Sequence, residues 1–237
     1  MLLEIEELKS KVYTYMNKVS QKYNIKKLLL RIFILFFLLL LSLTCIKLAL
    51  WQIDRGTEKN SIYKKYMDNA SKTPIIQKES KKIYDDFVSI KFNGVFINKK
   101  QFLLDNQVHN KKAGYDVLTP FVVSDKIILV NRGWVFNNNR INVPDIFIDK
   151  SLETISGYVY TYKKSFTLDE NHNDNQWPKI VQSVQIESWS KYFNKDLRPY
   201  ILIMDKKQKH SFTIREKYVK NDKLKHYMYA GQWIIFS

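Results

Sequence analysis

Cysteine is almost absent from this chain: its single copy, Cys45, falls inside an apolar run, which leaves the rest of the sequence without a disulfide or a thiolate metal site. A copper-delivery or thiol-redox role requires paired cysteines, and the sequence has none. The usual catalytic signatures are missing as well. There is no Gly-rich phosphate loop, no His-Glu-x-x-His pair and no nucleophile-elbow serine. The four histidines, His109, His172, His210 and His226, stand alone in sequence, without a second ligand type at metal-binding spacing. Asp85 and Asp86 are adjacent, which on a strand directs them to opposite faces and removes shared acid–base work. The residues therefore read as those of a non-enzyme with no catalytic site.

Charge is present in excess of one sign, +16 at neutral pH, and raises the question of nucleic acid. The cations are mostly lysines scattered along the whole chain. There is no zinc-finger spacing, no aromatic RNA-binding signature and no basic helix beside a heptad repeat, so nucleic acid is not an expected partner. A chain rich in Lys, Asn, Ile and Tyr more simply reflects the codon bias of an AT-rich genome, with contact to an anionic membrane surface as a secondary role for the charge.

One long hydrophobic run dominates. From Leu28 to Leu50 only Arg31 and Lys47 interrupt a stretch of the length that crosses a bilayer. Both cations sit near its ends, where long stems reach the interface. A cleaved signal peptide would be shorter and would end at a small-residue site, whereas Trp51-Gln52 follows here. The expectation is a membrane-anchored α+β chain. Residues 1–27 form an amino-terminal cytoplasmic segment, 28–50 a transmembrane helix and 51–225 a β-rich extracytoplasmic domain. The cytoplasmic assignment rests on a modest Lys/Arg excess before the run.

After the span, Ile62, Tyr63, Tyr66, Met67 and Ala70 recur at helical spacing, and Thr73-Pro74 should end that helix by about Lys72. The period then changes to two. Residues 88–97 alternate about Gly94, as a strand with a bulge or tight bend would, and further β-like runs cover 102–104, 115–123, 126–135, 152–162 and 200–205. Ser124-Asp125 reads as a hairpin loop, 137–140 as an exposed turn, 169–178 as a polar loop and 186–193 as a short helix. Hairpin-scale connections point to an antiparallel sheet or small barrel.

Three separated segments resemble the Surfeit locus protein 1 family. The first is Trp51-Gln52-Ile53-Asp54-Arg55 with Lys59, similar to W-Q-x-x-R-x-x-x-K. The second is Gly114 to Phe121 followed by Ile128-Leu129-Val130-Asn131-Arg132-Gly133-Trp134-Val135. The third is His226-Tyr227-Met228-Tyr229-Ala230-Gly231-Gln232-Trp233. With Gly94-x-Phe96 and the Gln176-Trp177 region they follow the family's order, although Ala49 stands near where the family usually has glycine.

The resemblance implies two transmembrane helices enclosing a β-rich domain, and a chaperone-like role in respiratory chain biogenesis. The chain would assist haem a insertion into subunit I of cytochrome c oxidase. Its partners would be that subunit, the haem a synthesis machinery and membrane lipid. It would reside in a bacterial inner membrane, or the mitochondrial inner membrane in a eukaryote.

The expected haem contacts are His226, as axial ligand to the iron, with Tyr229, Trp233, Trp51 and Arg55. The expected partner contacts are Arg132, Gly133, Trp134 and Lys59. Each has a plainer reading: Trp51 and Trp233 as interfacial aromatics, Arg55 and Lys59 as a solvated face, Trp134 as core, and His226 as a headgroup-bonded histidine. Eleven residues follow His226, which is half of a span, so 226–237 is expected to be the start of a truncated second transmembrane helix. The alternative is a bitopic interaction protein of another envelope complex.

Overall fold

A computed structural model describes residues 2–78, 83–137, 144–149, 151–162, 176–215 and 219–237. The chain divides into two compact units, one of residues 1–60 with 221–237, the other of residues 61–220.

In the first unit the helical signal is stronger than the sequence suggests. Helix α1 runs unbroken over Leu2–Ala70, so the expected amino-terminal segment and the apolar run belong to one helix. No proline or glycine occurs before Gly56 to interrupt it. Among the described residues α1 is the one helix long and apolar enough to cross a membrane, and its apolar side chains from Leu28 to Leu41 are exposed. Helix α3, Lys223–Phe236, has 14 residues, below the ~20 that a span needs. It begins three residues ahead of His226.

The second unit is built on an eight-stranded sheet that closes on itself. Its strands are β1 (Ile75–Gln77), β2 (Ser89–Phe96), β3 (Phe102–His109), β4 (Lys112–Val123), β5 (Lys126–Phe136), β6 (Leu152–Tyr160), β7 (Lys179–Val181) and β8 (Asp196–Met204). The order is β1-β2-β6-β8-β5-β4-β3-β7, and a further β2–β4 pairing joins the barrel. Strand β4 is long enough to share one edge. Its first half pairs with β3, and Phe121 and Val122 pair with Phe96 and Val95 of β2.

Gly94 lies at that closure. The expected bulge is not there, since β2 pairs with β6 in unbroken register from Ser89 to Val95. The glycine instead makes room for its neighbour, because a Cβ on Gly94 would lie 2.0 Å from the Val122 carbonyl oxygen.

The antiparallel expectation holds for β2–β6, β6–β8, β3–β4, β4–β5 and β2–β4, but β1–β2, β3–β7 and β5–β8 are parallel. The chain leaves β5 and returns to β8 only after β6, β7 and helix α2 (Ile186–Trp189), a connection long enough for a parallel return. Strands β1 and β7 have three residues each, too few to show a period. Ser124 and Asp125 form the expected two-residue loop, with Val123 opposite Lys126 and Ser124 at φ 56°. The expected helix at 186–193 is α2 followed by a 3₁₀ turn, Ser190–Tyr192. Asp85 and Asp86 precede β2 instead of lying on it, and Asp86 accepts a hydrogen bond from the Thr161 amide at 2.8 Å. Residues 138–140 of the expected turn at 137–140 and most of the loop at 169–178 lie outside the described residues.

Two apolar layers share the central strands. Ile128, Val130, Tyr200, Leu202 and Met204 join Phe92, Phe121 and Ile155 in one cluster, drawn from all five barrel strands. Leu129, Ile201 and Ile203 pack into another with Phe102, Leu118 and Trp189, where the Phe102 and Trp189 rings stack at 4.0 Å. Burial on both faces explains why β5 and β8 read as continuous apolar runs. The last turns of α1, which belong to this unit, dock by Tyr66, whose ring lies 5.9 Å from Phe87 and 5.5 Å from Tyr158. The helix ends at Ala70, two residues before the expected limit.

Candidate functional site

In the first unit, the Trp51-Gln52 and His226-Tyr227 segments come together. Cys45, Ala49 and Gly56 are buried on α1, at spacings of three, four or seven residues that include Gln52, and Ala230 is buried on α3. Side chains this small let the helices approach. A Cβ on Gly56 would lie 2.6 Å from the Tyr227 ring and 3.2 Å from His226 Cβ. The Tyr227 hydroxyl lies 3.5 Å from Thr57 Oγ1.

His226 Nδ1 lies 2.8 Å from Gln52 Oε1, a contact across 174 residues of sequence. An amide oxygen only accepts, so Nδ1 is the donor in this contact and Nε2 is the ring nitrogen left over for another partner. Such an imidazole is equipped to ligate a metal through Nε2, with Gln52 fixing the tautomer.

The other residues expected at the haem differ in how they are presented. Tyr229 and Trp51 are exposed, at 52% and 55%. Trp233 is half-buried, with its ring edge-on to Phe236 at 6.4 Å. Positions 226, 229 and 233 follow one another up a single face of α3. Arg55 is held by Glu58, Nη1 to Oε2 at 2.5 Å, in an exposed pair. Lys59 is half-buried on α1.

Arg132, Gly133 and Trp134 lie elsewhere, inside the second unit on β5. Arg132 is 2% exposed and Trp134 8%. The Arg132 guanidinium donates through Nε to the His210 carbonyl at 2.9 Å, and through Nη1 to the Ile146 carbonyl at 2.8 Å and Gln101 Oε1 at 3.2 Å. It also lies over the Phe212 ring at 4.6 Å. Burial pushes its pKa down to about 10, opposed by the charge of Asp145, so it remains cationic at neutral pH.

Gly133 adopts φ 112°, and a Cβ there would lie 2.9 Å from the Phe212 carbonyl carbon and from Thr213 O. Trp134 donates from Nε1 to the Gln107 carbonyl at 2.7 Å, and its amide donates to Thr213 O at 2.8 Å. This segment binds the chain's own residues 210–213. Further along, Arg215 pairs with the buried Asp116.

Of the remaining histidines, the His109 ring lies 5.2 Å from Trp134, His210 Nε2 lies 3.5 Å from Glu153, and His172 is outside the described residues. Among the described residues no group of His, Cys, Asp or Glu side chains is arranged to hold a metal ion. Gln52 lies within the first family-like segment, and its signal in the sequence is a polar residue on the otherwise small stripe of Cys45, Ala49 and Gly56.

The chain thus combines an apolar helix of membrane-crossing length, a closed β-barrel and an imidazole hydrogen-bonded to that helix. The model of the SURF1 family matches residues 39–237, and the chain belongs to that family, one of cytochrome oxidase assembly factors. The chain is similar to the SURF1-like protein of Rickettsia conorii, 28% identical over 177 residues that cover 72% of this chain and 71% of the relative. The SURF1-like protein of Rickettsia bellii is 28% identical over 165 residues, covering 68% and 66%. That of Rickettsia felis is 30% identical over 138 residues, covering 56% and 60%.

Proposed function

We propose that this chain assists the insertion of haem a into subunit I of cytochrome c oxidase, with haem a as transient cargo and His226 as its axial ligand. The observation that carries the reading is the His226–Gln52 hydrogen bond, which prepares Nε2 for iron. The donor set suits one axial position. Tyr229 and Trp233 lie along the same face of α3, where their rings would cover the porphyrin. Arg55 would meet a propionate by exchanging it for Glu58, which costs little because an exposed ion pair contributes ~1 kcal/mol or less.

In this reading α1 anchors the chain in a bacterial inner membrane, or its mitochondrial counterpart, with the barrel on the extracytoplasmic side. Haem a would arrive from the haem a synthesis machinery and leave for subunit I. Lys59, half-buried on α1, would contribute to the partner contact, while Arg132, Gly133 and Trp134 are buried in the barrel and would act on it only through residues 210–213, which they hold in place.

The test is to purify the protein from membranes that make haem a and record the visible spectrum, beside oxidase levels in a strain lacking the gene. Bound haem a and a loss of oxidase are expected. A haem-free protein together with normal oxidase rejects the proposal.

A further inference from the structure

The first 38 residues lie outside the family match, yet α1 begins at Leu2, so about two dozen residues of helix precede the apolar run. Their side chains, where described, are exposed, including Leu8 at 67%, Val12 at 56%, Tyr15 at 69% and Val19 at 48%. These four recur at spacings of four, three and four residues, which on a helix makes one narrow stripe. Ile5 continues it toward the amino end, so Ile5, Val12 and Val19 take the a positions of a heptad and Leu8 and Tyr15 the d positions. The f positions, on the opposite side, are Ser10, Asn17 and Asn24.

We propose that residues 5–22 pair with the same residues of a second copy of this chain as a parallel two-stranded coiled coil. Three observations select that occupant. β-Branched Ile5, Val12 and Val19 fill every a position, with Leu8 and Tyr15 as apolar d residues, a pattern compatible with two parallel strands. The flanking positions are compatible with this sense: Lys11 and Lys18 at g face Met16 and Tyr23 at e of the partner copy, so no like charges are opposed there. Finally, the stripe is continuous with the membrane-length helix. Two copies inserted in one bilayer with one orientation present their stripes in parallel and in register.

A membrane surface is the less suitable occupant. To lie flat, residues 5–22 would have to break away from the spanning helix. The sequence has no proline or glycine between Leu2 and Arg55 at which to do so. Lys22 at the last d position ends the seam before the apolar run begins.

The proposal goes beyond the haem reading but takes its parallel sense from the membrane anchor, so the experiment reads anchoring separately. In full-length protein carrying Cys45→Ser, a single cysteine is placed at an a position (Val12→Cys) or an f position (Asn17→Cys). Membranes are treated with a short bismaleimide, and carbonate extraction of the same membranes reports insertion. Both substituted sites are exposed, so neither change disturbs a core. The expected result is dimer from Val12→Cys at least ~5-fold above Asn17→Cys, lost when Val19→Lys is added. Equal cross-linking at both positions, or none at Val12→Cys in carbonate-resistant protein, overturns the pairing. So does a polarity-sensitive dye at residue 12 that shifts only on adding anionic vesicles, which would make lipid the occupant. Protein extracted by carbonate defeats the anchor instead.

Discussion

Gln52 on α1 and His226 on α3 face each other at 2.8 Å, amide oxygen to Nδ1, and this one contact joins the two motifs most distant in sequence. Replacing His226 with Ala removes the proposed ligand and should abolish haem a retention without unfolding the barrel, which is packed in a separate unit. Gln52→Leu leaves the ligand but frees its tautomer, and should weaken retention ~10-fold or more. Haem spectra of the purified variants, beside unchanged far-ultraviolet circular dichroism, check both outcomes.

Arg132→Met should destabilise the second unit by about 3 kcal/mol. It deletes charge-assisted hydrogen bonds to the His210 and Ile146 carbonyls inside the protein, and leaves those acceptors without that donor. Denaturant titration of the full-length protein in detergent, followed by tryptophan fluorescence, measures the shift in midpoint. A neutral outcome would mean that water reaches the site.

Gly133→Ala should cost ~1–3 kcal/mol or more, because the added Cβ meets the backbone of Phe212 and Thr213 in a conformation that L-residues rarely adopt. The loss should localise. Hydrogen exchange is expected to speed up at the Phe212 and Trp134 amides, which donate across this junction at 2.6 and 2.8 Å.

Glu153 accepts from Ser151, Lys209 and His210, and its carboxyl is held below the ordinary value of 4.5, the Ser151 hydroxyl being the largest cause. A depressed folded-state pKa contributes stability that is present above the unfolded value and lost as pH falls through the folded one. Thermal melts from pH 7 down to pH 3 should therefore show the wild-type advantage over Glu153→Gln shrinking only below about pH 4.5. An advantage constant across that range would rule the carboxylate out as its source.

A topology reporter inserted between Asn110 and Lys111 should be active only on the extracytoplasmic side. These residues form the exposed turn between β3 and β4, both at positive φ, so an insertion there leaves the sheet pairing intact. Activity in the cytoplasm would reverse the assigned orientation and remove the assembly reading with it.

The sequence by itself determined the elements that rest on local physics. An apolar run broken only by Arg31 and Lys47 specifies a helix of membrane length. Alternation specifies the strand at 89–96, and continuous β-branched and aromatic runs specify those at 112–123 and 126–136, which is why all three fall close to where the sequence puts them. Ser124-Asp125 is legible because turn chemistry is local. Tertiary structure alone decided what depends on chain return: the parallel β5–β8 pairing, the closure of the barrel beside Gly94, and three-residue strands held only by their neighbours. It decided the site residues in the same way. Arg132 reads as a surface cation by residue type, yet carbonyls from residues 146 and 210 enclose it. Gln52 reads as an ordinary polar residue until α3 places His226 against it. Charge, size and period are properties of single positions, whereas desolvation and hydrogen-bond partnership arise between positions far apart, and only the folded chain brings those together.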